Sequence, residues 1–98
     1  MLILPIKKKW FDMILSGEKK EEYREIKKYY GVRFAKLGVG DNVTHEILLR
    51  NGYSSNSQTI KCQITIHQDY GKEEWGAEPN KMYYVLRILS VEKTSLEG

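Results

Sequence analysis

Residues 59–67 alternate without a break. Ile60, Cys62, Ile64 and Ile66 share one parity, and Lys61, Gln63, Thr65 and His67 share the other. Successive side chains of a strand point to opposite faces, so this run fits a half-buried β-strand and no helix. Such a strand needs partners on its edges and apolar cover on one face. Residues 43–49 and 82–91 supply partners. The first has a polar side at Thr44 and Glu46. The second places Tyr84, Leu86 and Ile88 on one parity and Tyr83, Val85, Arg87 and Leu89 on the other.

The cover comes from the N-terminal part. Leu2, Ile3, Leu4 and Ile6 read as a first strand ending near Pro5. Residues 7–16 then carry Trp10, Phe11, Ile14 and Leu15, an i, i+1, i+4, i+5 spacing that makes one apolar helix face with lysines opposite. Trp10 is expected in the core, and Gly17 sits where a helix C-cap glycine is wanted. Residues 19–26 follow as an extended segment, with a helical alternative because 18–25 are mostly good helix formers. Residues 27–37 predict a second, irregular helix with Tyr30, Phe34 and Leu37 on one face, weakened by Gly31. Residues 38–41 predict a turn, and Asn51-Gly52 a second one extended by 54–57. Residues 69–81 predict a loop. Residues 1–93 make one domain, and 94–98 are expected to fray. The pattern predicts an α+β fold: a small mixed β-barrel of five to six strands with short helices near the N-terminus. Closure would hide otherwise open sheet edges.

The chain has 98 residues, 41% hydrophobic and 30% charged, with net charge +3. That composition fits a globular domain and excludes a disordered one. No apolar run approaches the about 18 residues of a membrane span. Residues 1–6 are too short for a signal-peptide core, and lysines follow them instead of preceding them. A cytoplasmic, monomeric protein is expected. Cys62 stands alone, which excludes an internal disulfide, and its parity places it in the core. His45 and His67 lie far apart with no ligand-like spacing, so they read as solvated and no metal or cofactor is called for. Between residues 7 and 36 ten Lys/Arg stand against five Asp/Glu. A basic first third favours a polyanionic partner.

The residues with chemistry to offer gather in 17–24. If residues 20–25 are extended, Glu22 and Arg24 point to one side. Lys19 has the opposite parity but lies beside the glycine break and can swing round. Clustered Lys and Arg bind phosphate or a carbonyl oxygen, and a neighbouring carboxylate orients them or transfers protons. The plain alternative is a surface ladder in which Glu18, Lys19, Lys20, Glu21, Glu22, Arg24 and Glu25 are all solvated. Tyr23, Tyr29, Tyr30, Tyr53, Tyr70 and Trp75 lie near basic residues or in loops, where aromatic rings can stack on bases. Trp75 and Tyr53 are expected to be partly exposed or to line a pocket.

The spacing Gly17-x-Lys19-x-x-Glu22-x-Arg24 resembles the GxKxxExR signature of the ASCH domain family, whose fold is a PUA-like β-barrel. The order of elements fits as well: a strand and short helix before the motif, Gly40-Asp41 after it, and a closing Tyr-Val-Leu-Arg-Ile strand. Arg50-Asn51-Gly52-Tyr53 and the segment 74–79 resemble small bacterial or prophage members. The resemblance implies a cleft between barrel and N-terminal helices. It also implies an RNA or nucleotide-like ligand, held by Gly17, Lys19, Arg24, Arg50, Asn51, Tyr53 and Trp75.

Some members are enzymes that deacetylate N4-acetylcytidine, and others are linked to RNA cleavage. In the deacetylating members the lysine matching Lys19 carries the chemistry, and a threonine stands where this chain has Glu22. A further carboxylate precedes the last strand, with Glu73, Glu74 and Glu78 as candidates here. Two functions follow as expectations. One is an RNA- or nucleotide-binding module. The other is a hydrolase acting on a modified nucleoside or on RNA, with Lys19 and Glu22 as catalytic residues. A protein-interaction domain without chemistry is the third.

Overall fold

In chain order the elements are strand β1 (Ile3–Ile6), helix α1 (Lys8–Ser16), strand β2 (Glu21–Glu25), helix α2 (Lys28–Leu37) and strands β3 (Gly40–Asn51), β4 (Thr59–Tyr70) and β5 (Met82–Lys93). They come from a computed structural model that describes residues 1–94. The strands form one sheet in the order β1-β3-β4-β5-β2. β1 runs parallel to β3, and the other neighbours are antiparallel. Register shifts in β3 between Gly40 and His45, and in β5 at Leu89, opposite Gln63 and Ile64 of β4, mark bulges. Bulges bend a strand and increase its twist, which helps the sheet curl into a half-barrel.

The apolar parity of 59–67 is buried as expected, but on the other parity Thr59 and Thr65 are buried too, so the alternation of exposure is incomplete. Ile60, Cys62, Ile64 and Ile66 are fully buried on the concave side. They meet Leu4 and Ile6 of β1, Ile47 and Leu49 of β3, and Leu86 of β5. Phe11 and Ile14 of α1 and Phe34 of α2 cover this core. A smaller cluster of Tyr83, Val85, Ala77 and Tyr23 lies apart from it. β5 therefore buries side chains of both parities, because the loop after β4 folds back over Tyr83 and Val85.

Several boundaries differ from expectation. Pro5 lies inside β1, where an edge strand tolerates a missing N–H. The turn expected at 38–41 is shorter: Gly40 opens β3, and the Asp41 carboxylate faces His67 at 3.9 Å and Arg87 at 4.0 Å. β4 continues to Tyr70, and Glu73–Trp75 form a 3-10 turn inside the expected loop. Neither histidine is freely solvated. His45 Nε2 lies 3.0 Å from the Gly38 carbonyl, and the His67 side chain is only 19% exposed. Of the expected tail, the Thr94 hydroxyl bonds the Thr59 hydroxyl at 2.7 Å, and 95–98 lie outside the described residues.

The barrel does not close. β1 and β2 are the two ends of the sheet, and no backbone ladder joins them among the described residues. The seam between them is where the cleft lies.

Candidate functional site

Gly17 builds the site without entering it. It ends α1 in the left-handed conformation at φ 87°, and its N–H donates to the Ile14 carbonyl at 3.1 Å. The Lys19 N–H then donates to Met13 at 2.9 Å. This turn places Lys19 just before β2, free of the strand's parity. Its side chain turns inward to the side of Glu22 and is 1% exposed.

Glu22 and Arg24, two residues apart on β2, point to the same side. The three charges form a chain. Lys19 Nζ stands 3.2 Å from Glu22 Oε1, and Arg24 Nη2 stands 3.0 Å from Glu22 Oε2. A solvated charge ladder is therefore excluded for these three. Lys19 Nζ also donates to the Trp75 carbonyl and lies 4.5 Å from the centroid of the Trp10 ring. Arg24 Nη2 donates to the Pro5 carbonyl at 2.8 Å, and its Nη1 donates to the Tyr30 hydroxyl at 3.2 Å.

Burial lowers the pKa of Lys19, and the Glu22 carboxylate beside it works in the opposite direction. A buried ammonium loses its hydration, so the neutral amine is favoured. Burial also pushes the Tyr23 hydroxyl well above its usual value, with a smaller upward push from the Glu21 carboxylate that accepts its hydrogen bond. The Tyr23 hydroxyl in turn accepts from the Lys72 N–H at 2.9 Å, which ties the loop after β4 to β2.

A cleft of about 340 Å³ opens beside Glu22 and Arg24. Trp10, Tyr30, Tyr53 and Tyr83 contribute aromatic walls, and Lys7 and Lys27 contribute charge. A small hollow of about 70 Å³ lies against Lys19, Trp10 and Trp75. Trp10, Glu22 and Tyr23 line both spaces.

The other expected site residues distribute unevenly. Tyr53 lines the cleft and is 88% exposed. Arg50 and Asn51 end β3 opposite Pro5 and Ile6, and neither lines the cleft. Trp75 is buried, not half-exposed; it lines only the small hollow and offers its carbonyl to Lys19. Glu73, Glu74 and Glu78 are exposed, and none lines either space. The second carboxylate at the cleft is Glu25. The helical spacing of Trp10 predicts a core position, but the ring is half-buried and forms a wall of the cleft. Tyr30, read from its spacing as part of an apolar face, uses its hydroxyl to bond Arg24.

Among the described residues, no group of three or more His, Cys, Asp and Glu side chains is placed to hold a metal ion. No helix is long and apolar enough to cross a membrane. No family model, curated protein or solved structure matches the chain.

Proposed function

We propose that the cleft beside Glu22 and Arg24 binds RNA or a nucleotide-like ligand, the function implied by the resemblance to ASCH domains and their PUA-like fold. One observation carries this reading: aromatic walls, a buried carboxylate–guanidinium pair and lysines come together in a single cleft. A nucleobase is a flat π surface edged with hydrogen-bond donors and acceptors. Trp10, Tyr30 and Tyr53 offer stacking surfaces. Glu22 can accept, and Arg24 keeps a buried Nε with no partner among the described residues. The volume suits one small ligand, since such sites span about 300–1,000 Å³. Binding of short single-stranded RNA, followed by anisotropy, is expected to weaken as salt rises. Tyr53→Ala is expected to weaken it about tenfold, the size of one stacking contact. Binding indifferent to salt, or none at low salt, overturns the reading.

A second reading rests on the lowered pKa of Lys19 and its pairing with Glu22. A hydrolase acting on an N4-acylated cytidine or on RNA needs a group that takes a proton from water and one that passes a proton to the leaving group. In the neutral form Lys19 can do the first, and Glu22, 3.2 Å away, can receive that proton from Lys19 and pass it to the leaving group. Incubation with N4-acetylcytidine and with labelled RNA, beside Lys19→Ala and Glu22→Ala, tests this. Equal product from the variants removes the site from the chemistry.

A further inference from the structure

The cleft does not end at Arg24. A second groove of about 290 Å³ continues it along β1 and the first turn of α2. The two share Pro5, Arg24, Lys27, Tyr30 and Tyr53. They therefore adjoin along the seam as the halves of a channel, with these five residues, Arg24 bonded to Pro5 among them, at the junction.

The two halves differ in charge. Glu22 and Glu25 line the first half together with Lys7, Arg24 and Lys27. The second half is lined by Arg24, Lys27 and Arg33 and by no carboxylate. Arg33 lies over the Tyr29 ring, 3.6 Å from its centroid, and its Nη1 donates to the Tyr29 carbonyl at 3.0 Å. These contacts hold the guanidinium without neutralising it. Lys27 stands 3.7 Å from Glu25, but both are more than half exposed, so that pair cancels little of its charge. α2 begins at the junction with no acidic residue in its first turn, which leaves its positive end unopposed.

From this asymmetry we infer that the channel takes a phosphorylated nucleoside unit, with the base in the first half and the phosphate in the carboxylate-free half. The inference rests on the first half being the base site, as proposed above. A phosphate placed among Glu22 and Glu25 would be repelled. One placed near Lys27 and Arg33 meets two cations, one of them a guanidinium suited to bidentate contact. A terminal phosphate of a free nucleotide and a phosphate within a strand share this chemistry.

The test compares cytidine, its 5′- and 3′-monophosphates and the dinucleotide CpC at low salt, read by heteronuclear NMR titration of the full chain. A monophosphate is expected to bind about tenfold more tightly than cytidine, a gain that fades with salt. Arg33→Gln, an exposed substitution, should bring the ratio of the two affinities close to one. Tighter binding of CpC than of either monophosphate assigns the site to a strand, and the reverse assigns it to a free nucleotide. Equal affinity for cytidine and its monophosphates overturns the inference while leaving the base site standing. Absence of binding by all four ligands overturns both.

Discussion

Arg24 Nη2 donates to the Pro5 carbonyl at 2.8 Å across the gap between the two end strands of the sheet. A guanidinium thus stands where a closed barrel would have a backbone ladder. Full pairing of β1 with β2 would satisfy the edges, but it would also occupy the space that Tyr53, Lys27 and Tyr30 now line. The side-chain bridge ties the edges together and keeps the channel. The same guanidinium fixes Glu22, so one residue supports both the fold and the site.

Arg24→Lys is expected to lower stability by about 2–4 kcal/mol in urea unfolding. It preserves the charge but not the geometry. Arg24 serves Pro5, Tyr30 and Glu22 at once from an 11%-exposed side chain. A lysine head cannot span that set. An unchanged urea midpoint would show that the bridge is not needed.

Glu22→Gln leaves two buried cations without their shared counter-charge. The expected loss is about 3–5 kcal/mol, the cost of stranding a buried partner. Lys19 should also become easier to deprotonate, because the carboxylate that opposes the effect of burial is gone. Adding Lys19→Met should recover part of the loss, with a coupling of about 1–3 kcal/mol in a double-mutant cycle. Additive single effects would mean that the pair is not coupled.

Much of this arrangement is legible in the residues alone. The period-two run at 59–67 identifies the central strand and the buried Cys62. The shared parity of Glu22 and Arg24 puts them on one side, and Gly17 explains how Lys19 joins them. Other features leave no trace in residue types. The acceptor that Trp75 gives Lys19 is a backbone carbonyl, which every residue has. The spacing of Trp10 and Phe11 defines an apolar face, but it does not say that Trp10 stands at the edge of that face, against a lysine. The open seam depends on strand order, and β1 pairs with β3, more than thirty residues away.

Gly76 is fixed by a close approach. Its φ is 103°, and an added Cβ would stand 2.9 Å from Trp10 Cζ2. Gly76→Ala is expected to cost about 2–4 kcal/mol, from the left-handed backbone and from overpacking together. Because Trp10 must move, its emission should shift and ligand binding should weaken along with stability. A variant that unfolds like the parent would mean that Trp10 gives way without cost.

Cys62 makes stability depend on alkaline pH in a definite direction. Burial raises its thiol pKa from 9.0 to about 12. In that window the unfolded chain has released the proton and the folded chain still holds it. The unfolded state then binds fewer protons, so stability falls as pH rises, by about 1.4 kcal/mol per pH unit. Below 9.0 the thiol contributes no slope. Lys19 opposes this trend: its lowered pKa makes stability rise as pH climbs toward the value of 10.5 for a free lysine. Tyr23, raised by burial, acts with Cys62. Comparison with Cys62→Ala cancels both neighbours. The parent should be the more stable protein at neutral pH by about 1 kcal/mol, the cost of the small cavity in the variant. Its advantage should vanish or reverse near roughly pH 10. Urea midpoints of the two proteins across this range measure the difference, and a constant difference would show that the fold does not hold the thiol protonated.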